Sequence, residues 1–170
     1  MLCEMSETFS EKLRKAKDLP AIFEIVKLAV IKTRKKRRAG LMLGIADLGN
    51  HPRGFLGAFY PVATNIIVMN RIPLERIKET NPELYKPYVF HVLLHEYLHA
   101  LGDVDEHSTR RTTYEICKEV FGPEHLATKM SEDYSQFFPN LVYPDAAWTP
   151  RTLNVELVDE FDKSSASYIR

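Results

Sequence analysis

Residues 87–101 constrain this chain more than any other stretch. Between Pro87 and Leu101, apolar side chains such as Tyr88, Val89, Phe90, Leu93, Leu94, Tyr97 and Leu98 fall on nearly every side of a helix. A helix apolar all round is buried in the middle of a fold rather than laid on its surface. Gly102 ends it in the manner of a C′ glycine. The rest of the chain must therefore surround this segment, and 170 residues suffice to do so as one domain without disulfide or metal staples.

The buried segment nevertheless carries polar residues: His91, His95, Glu96 and His99. The last three form His95-Glu96-Tyr97-Leu98-His99, an H-E-x-x-H pattern. Four residues advance a helix so that His95 and His99 lie about 40° apart around the axis and about 6 Å apart along it. Two imidazoles so placed can hold one Zn²⁺ from a single face. Glu96, turned about 100° from His95, stands beside such a metal rather than on it. From there it can take a proton from a metal-activated water and pass it to a leaving amine. With six His and fifteen Glu in the chain, chance yields this pattern about 0.02 times. Burying these groups with nothing to satisfy them costs several kcal/mol. A zinc site is thus the stronger reading, against two core histidines and an ion-paired Glu96.

The stretch from the strand-like Asn65–Asn70 through the helix ending at Leu101 resembles the minimal core of the zincin metallopeptidases. The match continues as His95-Glu96-Tyr97-Leu98-His99-Ala100-Leu101-Gly102-Asp103-Val104-Asp105, which fits H-E-x-x-H-x-x-G-x-x-D and is similar to the metzincin signature with Asp as third ligand. The resemblance implies a zinc-dependent peptidase with His95, His99 and Asp105 as ligands and Glu96 as general base. It also implies that the edge of strand 65–70 receives a peptide or protein substrate as an added strand. An acidic, Arg-containing helix after the site also looks like compact gluzincin or SprT-like proteases. Met130, the downstream methionine, lies in a stretch that reads as helix. Asp105 is favoured by spacing, with Gly102 letting the chain reverse. His107, Glu106 and His125 are the other candidates.

Elsewhere the pattern predicts a polar helix within 6–17, a helix entered at Asp18-Leu19-Pro20, and strands at 41–48, 55–60 and 65–70. Turn chemistry occupies 49–54. A short helix is expected over 73–79, the central helix from Pro87, a polar helix over 105–121, another over 123–137, and a strand at 153–158. The expected architecture is a single α+β, zincin-like domain spanning 1–170. A small sheet from 40–70 packs on helix 87–101, and an extended C-terminal tail, 139–170, is loose at 164–170 and long enough to cover the cleft.

Charge and composition narrow the function classes. The apolar fraction of 45% and charged fraction of 27% are ordinary for a globular domain and exclude collagen-like and low-complexity chains. Lys+Arg and Asp+Glu balance at 23 each, so no overall field favours nucleic acid or an anionic membrane. Lys32–Arg38 places six cations in seven residues, which reads first as a solvated helix C-terminus. The alternative is a zinc-containing binding module that contacts nucleic acid or protein through this run. His91 reads as a donor behind the metal or a core histidine. Tyr114, Tyr134, Tyr143, Arg110 and Arg111 are each able to steady an oxyanion. No window approaches 18 apolar residues, Cys3 and Cys117 make no disulfide framework, and the acidic N-terminus lacks a signal-peptide pattern. Together these lead to a cytoplasmic expectation.

Overall fold

The structure is a computed structural model that describes residues 6–48, 55–139, 141–142 and 154–162. Its elements are α1 (Phe9–Lys15), α2 (Leu19–Arg34), β1 (Met42–Ala46), β2 (Phe55–Leu56), β3 (Ala58–Phe59), β4 (Ile66–Asn70), α3 (Arg71–Thr80), α4 (Pro82–Ala100), α5 (Glu106–Phe121), α6 (Leu126–Glu132), a 3₁₀ turn (Tyr134–Gln136), β5 (Leu141–Val142) and β6 (Glu156–Leu157). Four strands form a mixed sheet in the order β3-β4-β1-β6, and β2 pairs with β5 in parallel. This is an α+β domain. Among the described residues, no helix is long and apolar enough to cross a membrane.

Helix α4 is the hub, touched by α1, α2, α3, α5, α6, β3 and β4. From Pro87 to Ala100 every side chain except His99 is buried. The apolar face of α2, with Ile22, Phe23, Val26, Ala29 and Val30, packs in the same core, and Phe23 meets Tyr97 edge to face at 5.3 Å. Asp18 caps α2 by accepting from the Ala21 N–H, with proline in the first turn.

Helix α4 starts at Pro82, not at Pro87. Pro87 lies inside the helix and lacks the N–H that would reach the Glu83 carbonyl. Glu83 is exposed, so water can serve that carbonyl and the proline is tolerated. The expected strand 55–60 divides at Gly57 into β2 and β3, which join different sheets. The expected helix 123–137 is split, because Asp133 ends α6 in extended conformation and its carboxylate caps the 3₁₀ turn. Strand β4 is interior, hydrogen-bonded to β1 on one side and β3 on the other. Among the described residues, β3 is the outer strand on that side of the sheet.

The described part of the C-terminal segment, 154–162, packs against the domain. Strand β6 closes the sheet on β1, pairing Gly44 with Leu157. Phe161 stacks on Phe23 at 4.1 Å. Asp162, buried, accepts from the Lys27 ammonium and from the Leu41 N–H. The turn expected over 49–54 and the end expected over 164–170 lie outside the described residues. Gly44 allows this closure, since a Cβ there would come within 2.1 Å of Val155 Cγ1.

Two consequences are measurable by urea denaturation. Asp162→Asn removes the buried one of the two carboxylates that meet Lys27 Nζ, the other being Glu24 at 2.9 Å, and is expected to lower stability by about 1–3 kcal/mol. Gly44→Ala is expected to cost about 1–3 kcal/mol through overpacking, with most of the loss recovered in the double variant Gly44→Ala/Val155→Ala.

Candidate metal centre

Helix α4 ends in a way that prepares its second histidine. Gly102 has φ +109°, a conformation open to glycine. The Gly102 N–H donates to the His99 carbonyl at 3.0 Å and the Asp103 N–H to the Leu98 carbonyl at 3.1 Å, the paired bonds of a Schellman turn. That turn carries the Asp103 carbonyl to 2.6 Å from His99 Nδ1. A carbonyl only accepts, so Nδ1 bears the proton, and Nε2 faces the other way.

Three donor groups meet at Nε2. His99 Nε2 lies 3.1 Å from His95 Nε2 and 2.9 Å from Glu106 Oε1, while His95 Nε2 lies 3.2 Å from Glu106 Oε2. One ligand atom from each residue falls within 4.8 Å of the others. Two Nε2 atoms so close cannot both carry a proton directed at the other. The electrostatics agree. Burial pulls His95 below its ordinary value, against the hydrogen bond that Glu106 accepts from it. His99 is also pulled down by burial, but Glu106, Glu96 and the Asp103 carbonyl raise it to about 9. Burial pushes the Glu106 carboxyl up, and its bonds to His95 and His99 outweigh that and hold it at about 2. The donor set, two imidazole nitrogens and a carboxylate on one point, suits a borderline cation such as Zn²⁺.

Glu96 stands outside this cluster. It is 2% exposed, and burial pushes its carboxyl up to about 8, opposed by the His99 charge and by a hydrogen bond from the Tyr60 backbone N–H just beyond β3. A buried carboxyl with a pKa near neutrality is suited to taking up and returning a proton.

Asp105, the ligand expected from spacing, is not brought to the histidines. Its Oδ2 accepts from the Ser108 N–H at 2.7 Å, making it the N-cap of α5. With residue 105 committed to the cap, Glu106 becomes the first helical residue, and its side chain turns toward α4. An Asp ahead of a polar helix is a cap signal in the sequence, but which acid turns to the histidines is decided by the packing of α5 against α4. His107 is exposed, with its Nε2 3.3 Å from an Arg111 nitrogen. His125 caps α6 and stacks on Phe121. His91, one turn before His95, donates from Nδ1 to Ser131 Oγ at 2.8 Å, since the Ser131 hydroxyl itself donates to the Ala127 carbonyl or the Cys117 thiol. Met130 is buried within α6. Tyr143 lies outside the described residues.

The basic run is partly consumed by the fold. Arg34 pairs with Glu115 and Glu119, and Lys32 lies over the Phe9 ring. Arg38 donates to Tyr60 Oη, the Thr64 carbonyl and the Ala100 carbonyl, and its own N–H donates to Tyr97 Oη. This clamp, which nothing in the sequence pattern singled out, ties the end of α4 to the end of β3, where Glu96 is met.

No family model, no curated protein and no solved structure matches the chain.

The cap and the cluster separate by mutation. Asp105→Ala is expected to lower stability by about 1 kcal/mol through loss of the cap. It leaves the affinity for added Zn²⁺ unchanged within about twofold, as read by calorimetric titration of metal-stripped protein.

Proposed function

We propose that this chain is a zinc-dependent peptidase with a zincin-like active site, hydrolysing peptide bonds. The observation that carries the reading is the meeting of His95 Nε2, His99 Nε2 and the Glu106 carboxylate on one point, with the buried Glu96 carboxyl adjoining but outside it. A purely structural metal has no need of an adjoining carboxyl whose pKa is held near 8.

In this reading His95, His99 and Glu106 hold the metal. A Zn²⁺ bound there supplies Lewis acidity toward a carbonyl and lowers the pKa of water. The chain's own residues do the rest. Asp103 fixes the His99 tautomer so that Nε2 presents a lone pair. Glu96 accepts the proton of the attacking water at its carboxylate and returns it to the amine that leaves. The Tyr60 N–H steadies the Glu96 carboxylate before the first transfer and after the second. An extended substrate would lie on the β3 side of the sheet, since β4 is paired on both sides.

The test is metal content beside activity. The native protein and Glu96→Ala are expected to purify with about one zinc per chain, and His99→Ala and Glu106→Ala with little. Glu96→Ala is expected to cut peptide hydrolysis by about 10²–10⁴-fold. No metal in the folded native protein after zinc is supplied overturns the reading, as does full activity in Glu96→Ala.

A further inference from the structure

Beside the three-residue cluster lies a pocket of 360 Å³, lined by His91 from α4, by His107, Arg110, Arg111 and Tyr114 from α5, and by residues 131–134. We propose that this pocket receives the free α-carboxylate of a peptide's terminal residue, so that the chain removes residues from C-terminal ends; the proposal rests on the peptidase reading above.

Position is the first argument. His91 precedes His95 by one helical turn on α4, and Arg110 follows Glu106 by one turn on α5. Arg110 Nε lies 3.8 Å from Glu106 Oε2, so a group in the pocket sits next to the candidate metal centre. The second argument is the spacing along α5. Residues 107, 110, 111 and 114 recur at three- and four-residue intervals and share one helical face. That face places two arginines, Arg110 and Arg111, on one wall of the pocket. A guanidinium presents its N–H donors in a fixed fork, which Arg111 brings to the pocket wall. Arg111 is exposed and holds its neighbour His107 at 3.3 Å.

The opposite wall selects the kind of anion. Glu132 and Asp133 also line the pocket, and both are exposed. Asp133 Oδ1 is engaged by the Ser135 N–H and hydroxyl. These acids repel a doubly charged phosphate more than a singly charged carboxylate, and a planar carboxylate fits the guanidinium fork. Tyr114 and Tyr134 flank the space with aromatic surface suited to one side chain. The volume is near the lower end for small-molecule sites, about 300–1,000 Å³, which suits one terminal residue. In the reaction the terminal C–N bond breaks and a C–O bond forms from water. The water's proton passes through Glu96 to the departing amino group, releasing one free amino acid and the shortened peptide's carboxylate.

The experiment offers zinc-loaded protein two pools of N-acetylated short peptides, identical except for a free-acid or carboxamide end, with products read by mass spectrometry. The expected result is stepwise loss of single terminal residues from the acids, and amides turned over at least about tenfold more slowly. Arg111→Gln is expected to raise KM for the acids about tenfold. Equal rates on the two pools, or internal cleavage, overturn the proposal. If neither pool is cut, the peptidase reading falls separately. The pocket is then judged by titrating N-acetyl-leucine and N-acetyl-leucinamide into zinc-loaded Glu96→Gln, with arginine Nε–H resonances observed. Preference for the acid that is lost in Arg111→Gln upholds the carboxylate subsite, and absence of preference overturns it.

Discussion

Burial of α4 on all sides is the constraint from which the rest of this structure follows. Three polar side chains, His91, His95 and Glu96, are carried into the core with the helix, and each needs a partner there or costs several kcal/mol. The partners come from three directions: Ser131 on α6 for His91, Glu106 on α5 for His95, and the Tyr60 backbone beyond β3 for Glu96. The elements around the helix are therefore positioned by its polar residues as well as by its apolar ones. A wholly apolar α4 would bury as well but would not specify which neighbour meets which turn.

Two ion-mediated ties hold the surrounding layers in register. Arg38 joins the C-terminal carbonyl of α4 to the Tyr60–Thr64 turn, and so sets the distance between the helix and β3. Lys27 and Asp162 join α2 to the segment that follows β6. Strand β6 thus completes the sheet, and the residues after it contribute a buried charge to the core. The two ties bear on opposite margins of the sheet, and the β3 margin adjoins the candidate centre.

Helix α5 links the candidate centre to its neighbouring pocket. Asp105 caps it, Glu106 faces the histidines, and the stripe from His107 to Tyr114 lines the pocket. A change in the start of this helix by one residue would rotate the whole stripe by about 100°. The cap therefore sets both the third donor and the direction in which the arginines point. The proximity of Arg110 to Glu106 couples the two sites electrostatically.

The sequence by itself determined the central helix, its H-E-x-x-H spacing, the glycine that ends it, and the strands Met42–Ala46 and Ile66–Asn70, because each is encoded by local periodicity, capping or turn chemistry. The start of α4 was misread at Pro87 because a proline inside a helix is tolerated where the stranded carbonyl faces water, and exposure is not a local property. Only the tertiary structure decided that Glu106 rather than Asp105 joins the histidines, that β3 rather than β4 is the outer strand, that Arg38 clamps α4, and that Asp162 lies in the core. Each of these depends on groups brought together across long stretches of chain, or on which of two adjacent residues a helix turns inward. Spacing along one strand of sequence does not carry that information; the packing of α4 against its neighbours does.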